Sequence, residues 1–422
     1  MGALKNVFLN FRIQVLLLAA LIIAFWYPVC FNNEFFYDDW EYINTFQNNG
    51  ANFAYFLKPI NEHFMPLSKL IFFMMFKSFN LNIFPYMIFT VLFHVLLCFT
   101  VLSFFRLVFG GEKISTFLLA LFFALNTTYY EVLHWFSSVN FSLVLFFLVG
   151  TLFLFHKAFM DKSKKMYILS LITSFFVPMN FSMGFLGIVF LFLYSFWGLK
   201  DKGSLSEKIK RVLPYFFVWI VYLVFYLIFS LQSILNKPET APDLTFNLIK
   251  ILSLSFLGFL GMLLKLFGFN FPLVFPYTIG LTILLIFVSL VFALFSFLYF
   301  VLNKKFERIP FFAKSKMILF AFTSIFLCYV VLGITRGSLG AGSIMGWGRY
   351  HYFPLFFLSF LLGAVYPRFI AIFSKIFNER RLKFFLLILF IIFLLNNFIL
   401  IRQKSESPIR TEGKLPAAYF VV

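Results

Sequence analysis

Runs of about twenty mostly apolar residues recur from one end of the chain to the other, and this repetition constrains the fold more than any motif does. The first, 13–31, carries no charged residue and follows Lys5 and Arg12. A helix crossing the hydrocarbon of a bilayer needs about 20 such residues. The run is too long for the apolar core of a secretory leader and lacks a small-residue cleavage site, so it reads as a retained anchor. Further runs fall near 84–105, 115–130, 139–156, 167–180, 182–198, 212–231, 276–302, 316–335, 350–367 and 384–401. Composition agrees: 62% of the 422 residues are hydrophobic and 12% are charged. No soluble globule of this size has an interior large enough to hide that much apolar surface. The expected fold is an all-α polytopic membrane protein with about 11 transmembrane helices. It forms a single transmembrane domain over 1–402, with a C-terminal tail, 403–422, on the outer side. The 73 phenylalanines are expected to serve mainly as lipid-facing filler.

The chain holds 35 Lys and Arg against 16 Asp and Glu, a formal charge of +19. In so apolar a chain this excess points to topology rather than to a nucleic-acid partner, because cytoplasmic loops collect Lys and Arg. With the N-terminus inside, the inner segments are 1–12, 106–113, 157–165, 200–211, 303–316 and 368–383. They contain 23 of the 35 basic residues, and 10 of the 16 acids fall on the other side. The expected location is a multi-pass integral protein of a prokaryotic cytoplasmic membrane, with its polar chemistry facing outward. Within the outer loop 232–275, the segment 245–267 is apolar but interrupted by Lys250 and Lys265. An extra crossing there would invert the charge pattern that follows, so an interfacial or re-entrant element is expected. The pair 167–180 and 182–198, separated by Pro178 and Gly184, reads as a broken helix as readily as two full spans.

The first outer loop, 32–82, concentrates the exceptions. Five of the 16 acids lie there: Glu34, Asp38, Asp39, Glu41 and Glu62. After Pro66 an apolar run places Lys69 and Lys77 about 80° apart around a helix axis, as an interfacial helix lying along the membrane surface would. Asp38 and Asp39 follow the first span directly. A carboxylate near a low-dielectric boundary is costly unless paired, its pKa tends to rise, and two neighbours push their protonation apart. The same pair also suits the N-cap of a helix over WEYINTF.

Four features recur in order: YDDW (37–40), HFMPLSKL (63–70), FHVL (93–96) and YYEVLHWFSSVNFSLVLFF (129–147); GRYHYFP (348–354) follows later. Together they resemble the membrane half of the GT-C glycosyltransferases, most closely the branch related to the transmembrane O-mannosyltransferases, here without tetratricopeptide repeats. The resemblance implies a GT-C-like fold and a sugar moved from a polyprenyl-phosphate donor to a glycan, lipid or protein acceptor at the outer face of the bilayer. Carried over by position, it makes Asp38 the catalytic base and Asp39 its partner or a metal or acceptor contact. It makes His63 and Glu131 substrate-binding residues, and Arg349 the cation for the lipid-linked phosphate. Two departures bear on the donor contacts. PMNFSMG (178–184) lacks the Lys of the family's Lys-Glu pair, and SSVN (137–140) stands where a Gly-Arg-x-Asp often follows.

The residues themselves add candidates. Arg336 and Arg349 flank the glycine-rich stretch 337–348, and arginine's planar fork suits phosphate. His134 and His351 are outward-facing neighbours of Glu131 and Arg349. A divalent metal held by Asp39, Glu131 and one of the outer histidines is a further possibility. His94 and His156 read as packing residues, and the three cysteines form no zinc or disulfide pattern. Two alternatives to the transferase stand beside it. One is a transporter or flippase of a lipid-linked sugar, suggested by the broken-helix signal. The other is a non-catalytic assembly factor.

Overall fold

The computed structural model describes residues 10–31, 34–36, 38–48, 53–60, 63–110, 113–199, 203–235, 248–266, 315–336, 344, 347–374 and 378–406. Among these the chain is predominantly helical, and the sole β-type pairing is a bridge between Ile60 and His63. In order, the helices are α1 (Phe11–Trp26), α2 (Asp38–Asn48), α3 (Phe53–Leu57), α4 (Pro66–Phe79), α5 (Ile83–Phe109), α6 (Lys113–Ala124), α7 (Tyr130–His134) and α8 (Val139–Met160). They continue with α9 (Lys164–Phe176), α10 (Leu186–Leu193), α11 (Leu205–Leu235), α12 (Leu248–Leu266), α13 (Ser315–Arg336), α14 (Tyr352–Phe373) and α15 (Glu379–Glu406).

Eight helical segments among the described residues are long and apolar enough to cross a membrane: Phe11–Phe31, Ile83–Phe109, Ile114–His134, Phe136–Met160, Leu205–Phe229, Lys316–Thr335, Gly348–Ala371 and Glu379–Gln403. The protein is therefore an all-α polytopic membrane protein. Three of the eleven expected crossings are not among the eight. The run 276–302 lies outside the described residues, while 167–180 and 182–198 fold as short pieces. There α9 ends at Phe176, a turn carries the chain past Pro178, and a 3-10 turn at Ser182–Phe185 leads into α10.

Helix ends are set by local chemistry. Asn10, Asn82 and Ser163 each accept a hydrogen bond from a first-turn amide, as N-caps do. Ser204 and Glu207 exchange reciprocal side-chain-to-amide bonds at the start of α11. Gly110, at φ +56°, ends α5 in the left-handed region that glycine enters freely.

Helices α5, α6, α8 and α14 form the centre, with α1, α9 and α13 packed around them. The aromatic filler is not confined to the lipid side: Phe104, Phe105, Phe123, Phe155, Phe356 and Phe360 are fully buried. Phe104 and Phe105 stack on Phe356 at 6.2 and 5.9 Å, so flat rings fill the gaps between helices. On α15 the distribution reverses. It exposes Phe384, Phe385, Ile391, Ile392 and Leu395, and buries Leu382, Asn397 and Ile401. His94 lies at the centre, with its ring nitrogens 3.0 Å from the Ala124 carbonyl and 3.2 Å from Tyr352 Oη. His156 binds Tyr194 Oη at 2.6 Å. Both histidines tie helices together.

Within the apolar segment 245–267, Leu248–Leu266 forms one continuous helix, α12. It packs Ile251, Leu254 and Leu257 inward against α13, with Lys250 exposed and Lys265 buried. In α4 the two lysines do not share a surface. Lys77 is exposed, whereas Lys69 is fully buried beside Ser68 and Phe72. The Lys69 ammonium donates to the carbonyls of Tyr55 and Lys58 and stands 4.6 Å from the Tyr55 ring centre. Rotation about the helix axis placed one residue on the loop side and the other on the open side. Burial holds the Lys69 amine down at about 7, against a raising influence from Glu41.

Candidate functional site

The first loop folds onto the helix ends through its acids. Helix α2 begins at Asp38, and Asp39, in its first turn, reaches back to accept the Phe36 N–H at 3.0 Å. Its other oxygen accepts the Ser137 N–H at 2.7 Å, from the turn that precedes α8. Asp39 is fully buried, and burial raises its carboxyl to about 7 although the two amides act to lower it. Asp38, one position earlier, is exposed and faces a cavity. The adjacent acids thus have different surroundings. The raised carboxyl belongs to the one engaged with backbone, so Asp39 acts as a joint between the first loop and the turn before α8 rather than as an N-cap of its own helix.

His63 is fixed from two directions. Its backbone exchanges hydrogen bonds with Ile60 at 2.9 and 3.0 Å, its Nδ1 is 2.7 Å from Ser182 Oγ, and its ring meets Phe181 at 4.2 Å. Residues just beyond it serve the break between α9 and α10. The Leu67 N–H donates to the Met179 carbonyl at 3.3 Å, and the Ser68 hydroxyl to the Asn180 carbonyl at 3.0 Å. Tyr222 from α11 donates to the Phe64 carbonyl at 2.7 Å. Backbone groups freed by a broken helix need such partners where water is scarce. The fold is so close here that a Cβ on Gly184 would stand 2.5 Å from the Val177 carbonyl oxygen.

The third wall comes from the segment before α14. A Cβ on Gly348 would lie 2.3 Å from the Thr128 carbonyl oxygen, so only glycine admits this approach. The next residue, Arg349, donates its backbone N–H to Glu131 Oε2 at 3.3 Å. Its guanidinium sits 4.6 Å from the Trp135 ring, 4.5 Å from Trp347 and 5.6 Å from Tyr350. Among the described residues no carboxylate forms an ion pair with it. Aromatic faces hold a guanidinium flat and leave its N–H edge for an anion.

These walls enclose one cavity of about 400 Å³. Asp38, His63 and Arg349 line it together, joined by Trp135, Asn140 and Ser182. The other candidates lie elsewhere. Asp39 and Glu131 engage backbone amides beside the cavity. His134 is buried, stacked on Tyr130 at 4.9 Å and tilted against Phe36 at 4.7 Å. His351 is fully buried with Nδ1 2.7 Å from Tyr329 Oη. Arg336 closes α13, and its neighbour Thr335 lines the cavity. Among the described residues no three His, Cys, Asp or Glu side chains converge as metal ligands, so the proposed cluster of Asp39, Glu131 and a histidine is not assembled.

Sequence reasoning passed over Ser182, Asn140, Trp135 and Tyr226 as lining residues. Ser182 and Asn140 fall inside PMNFSMG and SSVN, the segments noted for what they lack. No family model, curated protein or solved structure matches the chain. What the cavity can do follows from its own residues. A carboxylate can take a proton, an imidazole paired to a hydroxyl can position a polar group, and an arginine edge can hold an anion.

Proposed function

We propose that the protein is a GT-C-like membrane glycosyltransferase that moves a sugar from a polyprenyl-phosphate donor to an acceptor at the outer face of the membrane. The observation that carries this reading is that Asp38 and Arg349, far apart in sequence, line the same cavity. Asp38 would take the proton from the acceptor hydroxyl as it attacks the anomeric carbon. Arg349 would stabilise the lipid phosphate as the bond to the sugar breaks. The aromatic lining suits the apolar first units of a polyprenyl chain and the faces of a sugar. An eleven-span topology with the N-terminus inside, and 276–302 as one of the crossings, belongs to the same reading. So does an outward-facing site in a prokaryotic cytoplasmic membrane.

The test is transfer by the full-length protein in proteoliposomes supplied with polyprenyl-phosphate sugars and candidate acceptors. Asp38→Asn should reduce transfer by at least a hundredfold while leaving membrane insertion and thermal stability unchanged. Transfer by this variant near the wild-type rate would remove the proposed base.

One observation favours a second reading, a flippase for a lipid-linked sugar: the broken helix between α9 and α10 lines the cavity at Phe181 and Ser182. Movement of a fluorescent polyprenyl-phosphate sugar across the bilayer without acceptor, undiminished by Asp38→Asn, would decide for it.

A further inference from the structure

Asn140, in the first turn of α8, lines the cavity and is 6% exposed. Its Nδ2 donates to Met65 Sδ at 3.8 Å, while its Oδ1 is buried with no hydrogen-bond partner. A thioether sulfur accepts weakly and donates nothing, so the amide nitrogen faces it and the oxygen is left over. The same sulfur is the acceptor for Tyr42 Oη, also at 3.8 Å. Two polar side chains of one cavity therefore share a single soft acceptor, and a buried amide oxygen has none of the donors it needs. Such an arrangement is costly to keep unless something that enters the cavity completes it.

The missing partner has a definite chemistry. It must supply an O–H or N–H donor to Asn140 Oδ1 and oxygen acceptors that outcompete sulfur for Asn140 Nδ2 and Tyr42 Oη. It must also present a face to Phe141 and Trp135, which line the same cavity. A polyhydroxylated ring meets all three demands. Phosphate does not, since it brings acceptors and no apolar face, and its own contact, Arg349, is elsewhere on the wall. We propose that Asn140, supported by Tyr42, reads the hydroxyl groups of the transferred sugar, and so sets which sugar the cavity accepts. This assignment rests on the glycosyltransferase reading and divides the cavity in three: Asp38 for proton transfer, Arg349 for the phosphate, Asn140 for sugar identity.

The experiment measures binding to the full-length protein in lipid nanodiscs. The probes are a short-chain polyprenyl phosphate and its mannosyl, glucosyl, galactosyl and arabinosyl esters. The expected result is that wild type binds at least one ester more tightly than the bare phosphate. Asn140→Leu should then weaken that ester by about tenfold, the cost of one lost hydrogen bond, without changing the Kd of the bare phosphate. Asn140→Asp, which keeps the acceptor oxygen, should retain most of the preference. Tyr42→Phe removes only a hydroxyl and should give the same selective loss on a smaller scale, so it decides the matter if Asn140→Leu does not fold. Equal binding of the preferred ester by wild type, Asn140→Leu and Tyr42→Phe would overturn the assignment and leave the glycosyltransferase reading intact. An equal loss for ester and bare phosphate would overturn it in the same way. If wild type binds no ester better than the bare phosphate, both the reading and the assignment fall.

Discussion

The carboxylate of Asp39 receives the backbone N–H of Ser137 at 2.7 Å, joining the first loop to the turn that starts α8. Its second oxygen holds the Phe36 N–H, so both oxygens are acceptors. Asn at this position offers one acceptor oxygen in place of two and would aim its NH₂ at an amide donor. Asp39→Asn should therefore destabilise the protein by about 1–3 kcal/mol. Thermal unfolding in detergent should show a lower Tm for this variant and an unchanged Tm for Asp38→Asn. An Asp39→Asn protein as stable as wild type would mean that the joint contributes nothing.

Asp39 also links stability to pH. Its folded carboxyl is raised from 3.8 to about 7, so the folded state holds the proton more tightly than the unfolded chain does. The stabilisation is fully present below about pH 4 and is lost as pH rises through about 7. The Tm difference between wild type and Asp39→Asn should narrow across this window. A difference that stays flat or widens with rising pH would show that the buried carboxyl is not raised.

Lys69 has the opposite sign. Its folded amine is lowered from 10.5 to about 7, so its contribution is fully present above about pH 10.5 and is lost as pH falls through about 7. Its donor bonds hold the Tyr55 and Lys58 carbonyls. Lys69→Met should speed amide hydrogen exchange in 53–60 by about tenfold, read by mass spectrometry against α15 as control. Unchanged exchange would show that the loop keeps its shape without the amine.

His63 and Ser182, 2.7 Å apart, should behave as one unit. In a double-mutant cycle with His63→Ala and Ser182→Ala, the second substitution should cost less than it does alone. The coupling expected for a contacting pair is about 0.5–3 kcal/mol in unfolding free energy or transfer. Strict additivity would make the contact incidental.

Gly348 offers a test of how Arg349 is aimed. A methyl group there would collide with the Thr128 carbonyl oxygen, a rigid backbone atom 2.3 Å from the new carbon. Gly348→Ala should displace the following residue and reduce polyprenyl-phosphate binding by at least tenfold. Arg349→Lys should do so as well, because an ammonium cannot lie flat between Trp135 and Trp347. Binding retained in both variants would remove Arg349 from the anion site.

Eight of the eleven expected spans were legible in the sequence as long apolar helices, because an apolar run of fixed length is a one-dimensional signal. The same holds for caps such as Asn82 and Ser163, which lie next to the amides they serve. Direction around a helix was harder to read. Asp38 and Asp39 look alike as letters, and only the Ser137 amide, brought in from another loop, separates them. His351 follows Arg349 by two positions in a 3-10 turn, which rotates it about 240° around the axis and toward Tyr329. Lys69 looked like a surface anchor because the carbonyls it holds carry no side-chain signature. The roles of Ser182 and Asn140 depend on partners more than 70 positions away, His63 and Met65, and no local pattern encodes those pairings.

The contacts between 63–68 and the break after α9 also bear on how the protein is made. Ribosomes deliver the chain from its N-terminus, so Leu67 and Ser68 exist before Met179 and Asn180 emerge. The short helices on either side of Pro178 reach a bilayer in which their unpaired carbonyls have a ready-made partner. A chain permuted so that 164–198 is synthesised first would have to shelter those carbonyls until the loop arrived. The order of these two segments along the chain thus puts the donors in place before the carbonyls that need them.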